Sequence, residues 1–268
     1  KPKRRVRYQG THPHNYNEKY KELQPDKYRE TIEKVISKGN TPAGMHIAIC
    51  IPEIINFLEI KPGQIGLDAT LGYGGHSLEI LKSLKNKGHL YALDIDSIEI
   101  EKTKNRLNDL GYGSNIFTAI HLNFANIDIL PVQTGLFNFV IADLGVSSMQ
   151  IDNPNRGFSY KKDGPLDLRL DPEKGIPASV RLERISQEEL EGMLIENADE
   201  PYAKIISKAI VSTIQTGNKI STTSELQQVI TKSLSFLKGS KEEIKQMINK
   251  SCQRTFQALR IDINDEFE

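Results

Sequence analysis

Three aspartates and one glycine-rich turn are the groups in this chain whose types and spacing could do chemistry. Asp68 opens Asp68-Ala-Thr-Leu-Gly72-Tyr-Gly74-Gly75-His76-Ser77, set between a short apolar run and an apolar periodic stretch. Glycine at such a junction lets the backbone turn tightly and lie against a ligand where a Cβ would collide. A helix beginning near His76 would aim its N-terminal amides and the positive end of its dipole at the same point. Asp94 closes a second apolar run, Leu90-Tyr-Ala-Leu-Asp94, twenty-two residues after Gly72. A carboxylate there can accept from both hydroxyls of a ribose. Asp143 closes a further run, Phe139-Val-Ile-Ala-Asp143. The pattern predicts a cradle for an adenosine-bearing cofactor at the ends of neighbouring strands.

The elements that must hold these groups follow from the apolar periodicity. Strands are expected over residues 65–69, 90–94, 116–121 and 137–143, and helices over 77–84 and 98–110. Strand and helix alternating at this spacing indicate an open parallel sheet covered by helices. The alternation stops after Met149, and residues 152–175 are rich in Asp, Asn, Pro and Gly, which predicts a long loop. Three helices are then announced by Ser186-x-x-Glu189, Thr222-x-x-Glu225 and Ser240-x-x-Glu243. Ile205, Ile206, Ala209, Ile210 and Ile214 give one more helical face. Thr255-Phe-Gln-Ala-Leu-Arg-Ile261 is expected as a strand returning to the sheet. The expected organisation is a basic arm with a short helix (1–44), an α/β domain (45–150), an inserted helical domain (151–250) and a return to the α/β domain (251–268).

Composition narrows the classes. The 268 residues carry 35 basic and 35 acidic side chains, so no global charge draws the chain to nucleic acid or membrane. The first thirty residues are an exception, with nine basic side chains against four acidic ones. Residues 26–38 read as a short helix closed by Gly39. Cys50 and Cys252 lie far apart with no Cys-x-x-Cys spacing, as reduced thiols of a cytoplasmic protein would. No apolar run approaches the roughly 20 residues of a membrane helix. His12, His14, His46, His76, His89 and His121 lack a paired spacing with Cys or carboxylates, so no metal site is expected.

The cofactor can be argued further. A dinucleotide loop reads G-x-G-x-x-G, and here Ser77 holds the third glycine's place. Asp68-x-Thr70-x-Gly72-x-Gly74 is closer to the acidic-x-Gly-x-Gly-x-Gly loop of class I methyltransferases, with Thr70 in the first glycine's place. Five segments then occur in order: Gly72-Tyr-Gly-Gly-His-Ser77, Asp143-Leu-Gly-Val-Ser-Ser148, Arg156-Gly-Phe-Ser159, Asp163-Gly-Pro-Leu-Asp-Leu-Arg169 and Arg254-Thr-Phe-Gln-Ala-Leu-Arg260. Together, over about residues 45–268, they resemble the RsmH (MraW) family, bacterial enzymes that methylate N4 of a cytosine in 16S ribosomal RNA of the small subunit.

The resemblance implies a Rossmann-like class I methyltransferase domain carrying a helical insertion. It implies S-adenosyl-L-methionine as cofactor, with contacts from Gly74, Gly75, His76, Asp94, Phe124, Asp143 and Gln150. Without it, Phe124 reads as core, His76 as a helix-start residue and Gln150 as an exposed loop polar. The family's late Ser-Phe-His-Ser-Leu-Glu segment does not occur before Glu268, so the C-terminal end of the sheet is expected to be truncated. Asp143 is the expected catalytic residue. It would accept from the cytosine N4 amine, itself or through a carbonyl of the turn it begins, or else orient the methionine amino group.

An RNA substrate also asks for phosphate contacts. Arg156, Lys161, Lys162, Arg169 and Arg254 are candidates, as are Lys3, Arg4 and Arg5 of the arm. Two other functions fit parts of the sequence. One is an RNA-binding or ribosome-assembly protein that keeps the cradle without turnover; the other, disfavoured by Ser77, is an NAD-dependent oxidoreductase.

Overall fold

The computed structural model describes residues 48–130 and 135–267; the basic arm, the helix expected over 26–38 and Lys3, Arg4, Arg5, His12, His14 and His46 lie outside them. In the unit that begins at Pro52, all but the first residue of helix α1 (Ile51–Leu58) leads into strand β1 (Ile65–Asp68), helix α2 (Gly75–Leu84), strand β2 (His89–Asp94), helix α3 (Ser97–Asp109) and strand β3 (Phe117–His121). A 3-10 segment (Phe124–Ile129) and strand β4 (Phe139–Ile141) complete the sheet among the described residues.

All pairings are parallel and the strand order is β3-β2-β1-β4. β1 therefore has β2 on one side and β4 on the other, and the strand order reverses across it. In open parallel sheets that reversal leaves a crevice at the carboxyl ends of the strands. Asp68, Asp94 and, two residues past β4, Asp143 all stand at those ends.

Alternation along β2 decides which face each side chain supports. Leu90 and Ala92 join the core made with Ile80 and Leu84 of α2 and Ile100 and Leu107 of α3. Tyr91 and Leu93 face the opposite way, with Leu67, Leu130 and Phe137. Gly66 of β1 has no room for a side chain, since a Cβ would collide with the Phe139 ring of β4.

The second half of the chain has its own core. Helix α4 (Ser148–Asp152) and a 3-10 turn (Pro154–Arg156) precede a long loop, followed by α5 (Ala178–Arg184), α6 (Gln187–Glu196), α7 (Ala203–Gln215), α8 (Thr223–Ser233) and α9 (Lys241–Asn264). Phe158, Leu166 and Leu168 of the loop are buried with Leu190, Ile206 and Leu226 of the helices. The three expected caps form: Ser186, Thr222 and Ser240 each accept from the amide three residues on.

One expectation is overturned. Residues 255–261 form no strand; they continue α9, which runs unbroken from its Ser240 cap to Asn264. Cys252, Phe256 and Leu259 recur every three or four residues and bury with the helices, so this stretch packs there and does not return to the sheet. The apolar residues from Phe256 to Ile261 belong to a helical stripe that is buried over most of its width. Cys252 is fully buried, and burial together with the nearby Glu200 charge pushes its thiol up to about 12.

Candidate active site

The site is built where β1 ends. Asp68 is 2% exposed, and its carboxylate accepts from the Thr70 amide at 3.0 Å and from the Ser77 hydroxyl at 2.6 Å. It thus ties the strand end to the first turn of α2. Burial raises its pKa, an effect larger than the lowering by the Ser77 and Thr70 hydrogen bonds. Asp68 is a strut of the turn.

The turn itself hangs on three bonds. Leu71 N donates to Leu93 O at 2.7 Å, Gly74 N to Leu71 O at 2.7 Å, and Gly72 N to the Asp94 carboxylate at 2.5 Å. Gly74 caps α2 with φ +72° and itself has no side chain to bond the helix's first amides. A Cβ there would stand 2.7 Å from Thr103 Cγ2. Glycine at Gly74 is needed for both reasons: the left-handed backbone and the approach of α3. Thr103 also donates to Gly72 O at 2.6 Å, and the Arg106 guanidinium lies 3.5 Å over the Tyr73 ring. The cradle is therefore braced from behind by α3.

Asp94 faces the same space. One oxygen takes the Gly72 amide and the other the Asp96 amide at 2.8 Å. Each carboxylate oxygen has a second lone pair, so two hydroxyl donors can still be received. Burial raises the Asp94 pKa against those two lowering bonds, so further donors to the charged form would be favourable.

Asp143 is held at its backbone, where its amide donates to Thr70 Oγ1 at 2.7 Å. Its side chain is 44% exposed, and Oδ2 lies 3.9 Å from Nδ1 of the buried His76. Phe124 follows β3 with 44% of its surface open, which frees an aromatic face that a core residue would not have. Asp94, Phe124 and Asp143 thus stand at or just beyond the strand ends, Gly74 on the turn between β1 and α2, and Gly75 and His76 in the first turn of α2. Gln150 is placed differently from a loop polar. It lies in α4, where its Oε1 accepts from Ser147 N at 2.9 Å in a capping box and its Nε2 donates to Asp96 at 2.8 Å.

Two of the phosphate candidates are corrected. Arg156 is buried and ion-paired with Asp96 at 2.8 Å; desolvation and pairing leave it no route to a phosphate. Arg169 is forked onto the Asp167 carboxylate, at 2.7 and 2.8 Å. Lys161 is exposed, and Lys162 and Arg254 are half-buried.

The residues missed by sequence reasoning are Asp96, Thr103 and the Ser147 cap. Asp96-x-x-Glu99 and Ser147-x-x-Gln150 both carry the spacing of a helix start, which would have marked them. Thr103 sits mid-helix and carries no such signal. Among the described residues, no three His, Cys, Asp or Glu side chains are grouped to hold a metal ion, and no helix is long and apolar enough to cross a membrane.

A parallel α/β sheet with this glycine turn and strand-end carboxylates is consistent with a Rossmann-like methyltransferase fold. The family model described as MraW methylase matches residues 43–268. Over 266 residues the chain is 64% identical to ribosomal RNA small subunit methyltransferase H 1 of Lachnoclostridium phytofermentans, covering 99% of this chain and 72% of that protein. It is 63% identical to ribosomal RNA small subunit methyltransferase H 2 of Alkaliphilus metalliredigens, over all of this chain and 76% of that one. A third relative, ribosomal RNA small subunit methyltransferase H 1 of Agathobacter rectalis, is 59% identical over 99% of this chain and 76% of its own length. The chain belongs to the MraW methylase family.

Proposed function

We propose that this chain transfers the methyl group of S-adenosyl-L-methionine to N4 of a cytosine in 16S ribosomal RNA of the small subunit, acting in the cytoplasm. The observation that carries the reading is the pairing of a left-handed glycine cap at Gly74 with a part-buried Asp94 that retains lone pairs for two hydroxyls. The substrate follows from the relatives, each named as a ribosomal RNA small subunit methyltransferase.

The residues fit the cofactor. Asp94 would receive the ribose hydroxyls, Phe124 would stack on adenine, and Gly74, Gly75 and His76 would border the methionine portion, with Gln150 on the α4 side. The bound cofactor supplies a sulfonium methyl that needs no further activation. What the chain must add is alignment of the acceptor nitrogen and a place for its hydrogens.

Asp143 is suited to that task. Its backbone is fixed by Thr70 while its carboxylate remains open to the site. Accepting from the N4 amine localises the nitrogen lone pair, which is otherwise delocalised into the cytosine ring, and provides for proton loss during or after transfer. The second role, orienting the methionine amino group, uses the same carboxylate.

Radioactive methyl transfer to immature small subunits tests the reading. Asp143→Ala should abolish transfer, and near-wild-type turnover in that variant would remove Asp143 from both roles. Transfer to no RNA by the unaltered chain would remove the substrate.

A further inference from the structure

Asp96 is fully buried, and its two oxygens do different work. Oδ1 accepts from the amides of Ile98 and Glu99, at 3.1 and 3.2 Å, and so caps α3. Oδ2 accepts from Gln150 Nε2 and from Arg156, both at 2.8 Å. Arg156 is buried as well, and its other nitrogen donates to the carbonyls of Arg169 at 3.1 Å and Leu170 at 2.9 Å. One carboxylate just past β2 therefore grips α4, the 3-10 turn after it and, through Arg156, the long loop.

These contacts fix one end of the segment that Asp143 begins. The other end is fixed by the Thr70 bond to the Asp143 amide. Between the two anchors Leu144 is 70% exposed, and nothing lies within 4 Å of where a Cβ on Gly145 would be. Only Leu144 and Gly145 are open; Val146 rests on the helical core and Met149 is buried, so apolar packing supports the segment between its polar anchors. The Asp96 anchor is also joined to the cradle, because the Asp96 amide donates to Asp94.

A buried ion pair is a poor source of stability compared with apolar packing of the same volume, whereas its fork geometry fixes a mutual arrangement. We propose that Asp96 and Arg156 are positioning residues: their pair sets where the 143–150 segment stands over the cofactor cradle. Its catalytic consequence rests on the proposed methyl-transfer reading; its effect on the segment does not.

The charge pair can be separated from its geometry. Asp96→Asn can keep the cap through the amide oxygen but presents an amide nitrogen to Arg156 and Gln150, donor against donor. In the ligand-free chain, hydrogen exchange of amides 147–156 should then quicken at least about tenfold, with β1 and β2 amides unchanged. Misplacing the segment should lower kcat by about 100-fold and raise KM for S-adenosyl-L-methionine much less, since Asp94 is untouched.

The double variant Asp96→Asn/Arg156→Met removes both buried charges and should regain thermal stability. For a positioning pair, kcat stays low and exchange stays fast in that variant. Recovery of kcat together with stability would reduce the pair to scaffolding and overturn the proposal. So would wild-type exchange in Asp96→Asn, or fast exchange with undiminished kcat. If Asp96→Asn does not fold, the double variant alone decides by the same two readouts. Failure of the unaltered chain to bind S-adenosyl-L-methionine would sink the methyl-transfer reading, while the exchange measurement would still decide the positioning role.

Discussion

Asp94 shows how one side chain serves the fold and the site at once. Its carboxylate closes the glycine turn through Gly72 and the start of α3 through the Asp96 amide. Burial holds its pKa above the ordinary 3.8, against the two hydrogen bonds. The sign of the consequence is fixed: hydroxyl donors prefer the charged carboxylate, so binding weakens as pH falls through the raised value. Affinity for S-adenosyl-L-methionine should therefore begin to decline above pH 3.8, earlier than for an ordinary Asp. Calorimetric titration across that range checks it. Asp94→Asn should bind weakly and without that dependence, which separates it from the buried Asp68, whose pKa is also raised. The roles of Asp68, Asp94 and Asp143 as strand-end residues were legible, because a carboxylate closing an apolar run is a pattern of the chain itself. That Arg156 is buried was not, since its partner Asp96 lies sixty residues away and only the fold joins them.

At the scale of elements, the cradle is a junction more than a loop. β1 supplies Asp68, α2 its glycine-capped start, and α3 the Thr103 and Arg106 side chains behind the turn. Gly74→Ala tests the junction. A left-handed alanine costs about 1–2 kcal/mol, and its methyl must also displace Thr103, 2.7 Å away. The variant should melt several degrees lower and lose most of its cofactor affinity; scanning calorimetry and equilibrium binding would show both. The strands here, and the Ser186, Thr222 and Ser240 caps of the helical half, were readable because alternation and cap spacing are local signals, whereas the Asp96 cap of α3 was missed. The fate of residues 255–261 was not readable. A helix buried over most of its width has apolar residues at spacings two, three and four together, and only the run from Ser240 shows the helix to be continuous.

Across the whole molecule, charge is divided between internal struts and exposed groups. Arg156, Arg169 and Arg181 are held by Asp96, Asp167 and Asp262, so these cations serve the architecture. Exposed lysines such as Lys161 remain for an RNA backbone. If Lys161 meets a phosphate, Lys161→Ala should reduce the slope of log affinity against log salt by about 0.7–0.9. Filter binding of small-subunit RNA at several salt concentrations reads the slope directly. The same substitution at Arg169 should leave the slope unchanged and lower the melting temperature.

Cys252 gives the helical half a clock of its own. A thiol pushed up to about 12 and sealed among Tyr160, Phe256 and Leu259 is inert toward alkylating reagents while the core stays shut. Reaction at that sulfur consequently reports how often the core stands open. In excess iodoacetamide at neutral pH, mass spectrometry should find Cys50 modified within minutes, since it is exposed. Cys252 should follow only in proportion to the fraction of time that α9 is lifted away, and a ligand that tightens the helices would slow it without touching the sulfur.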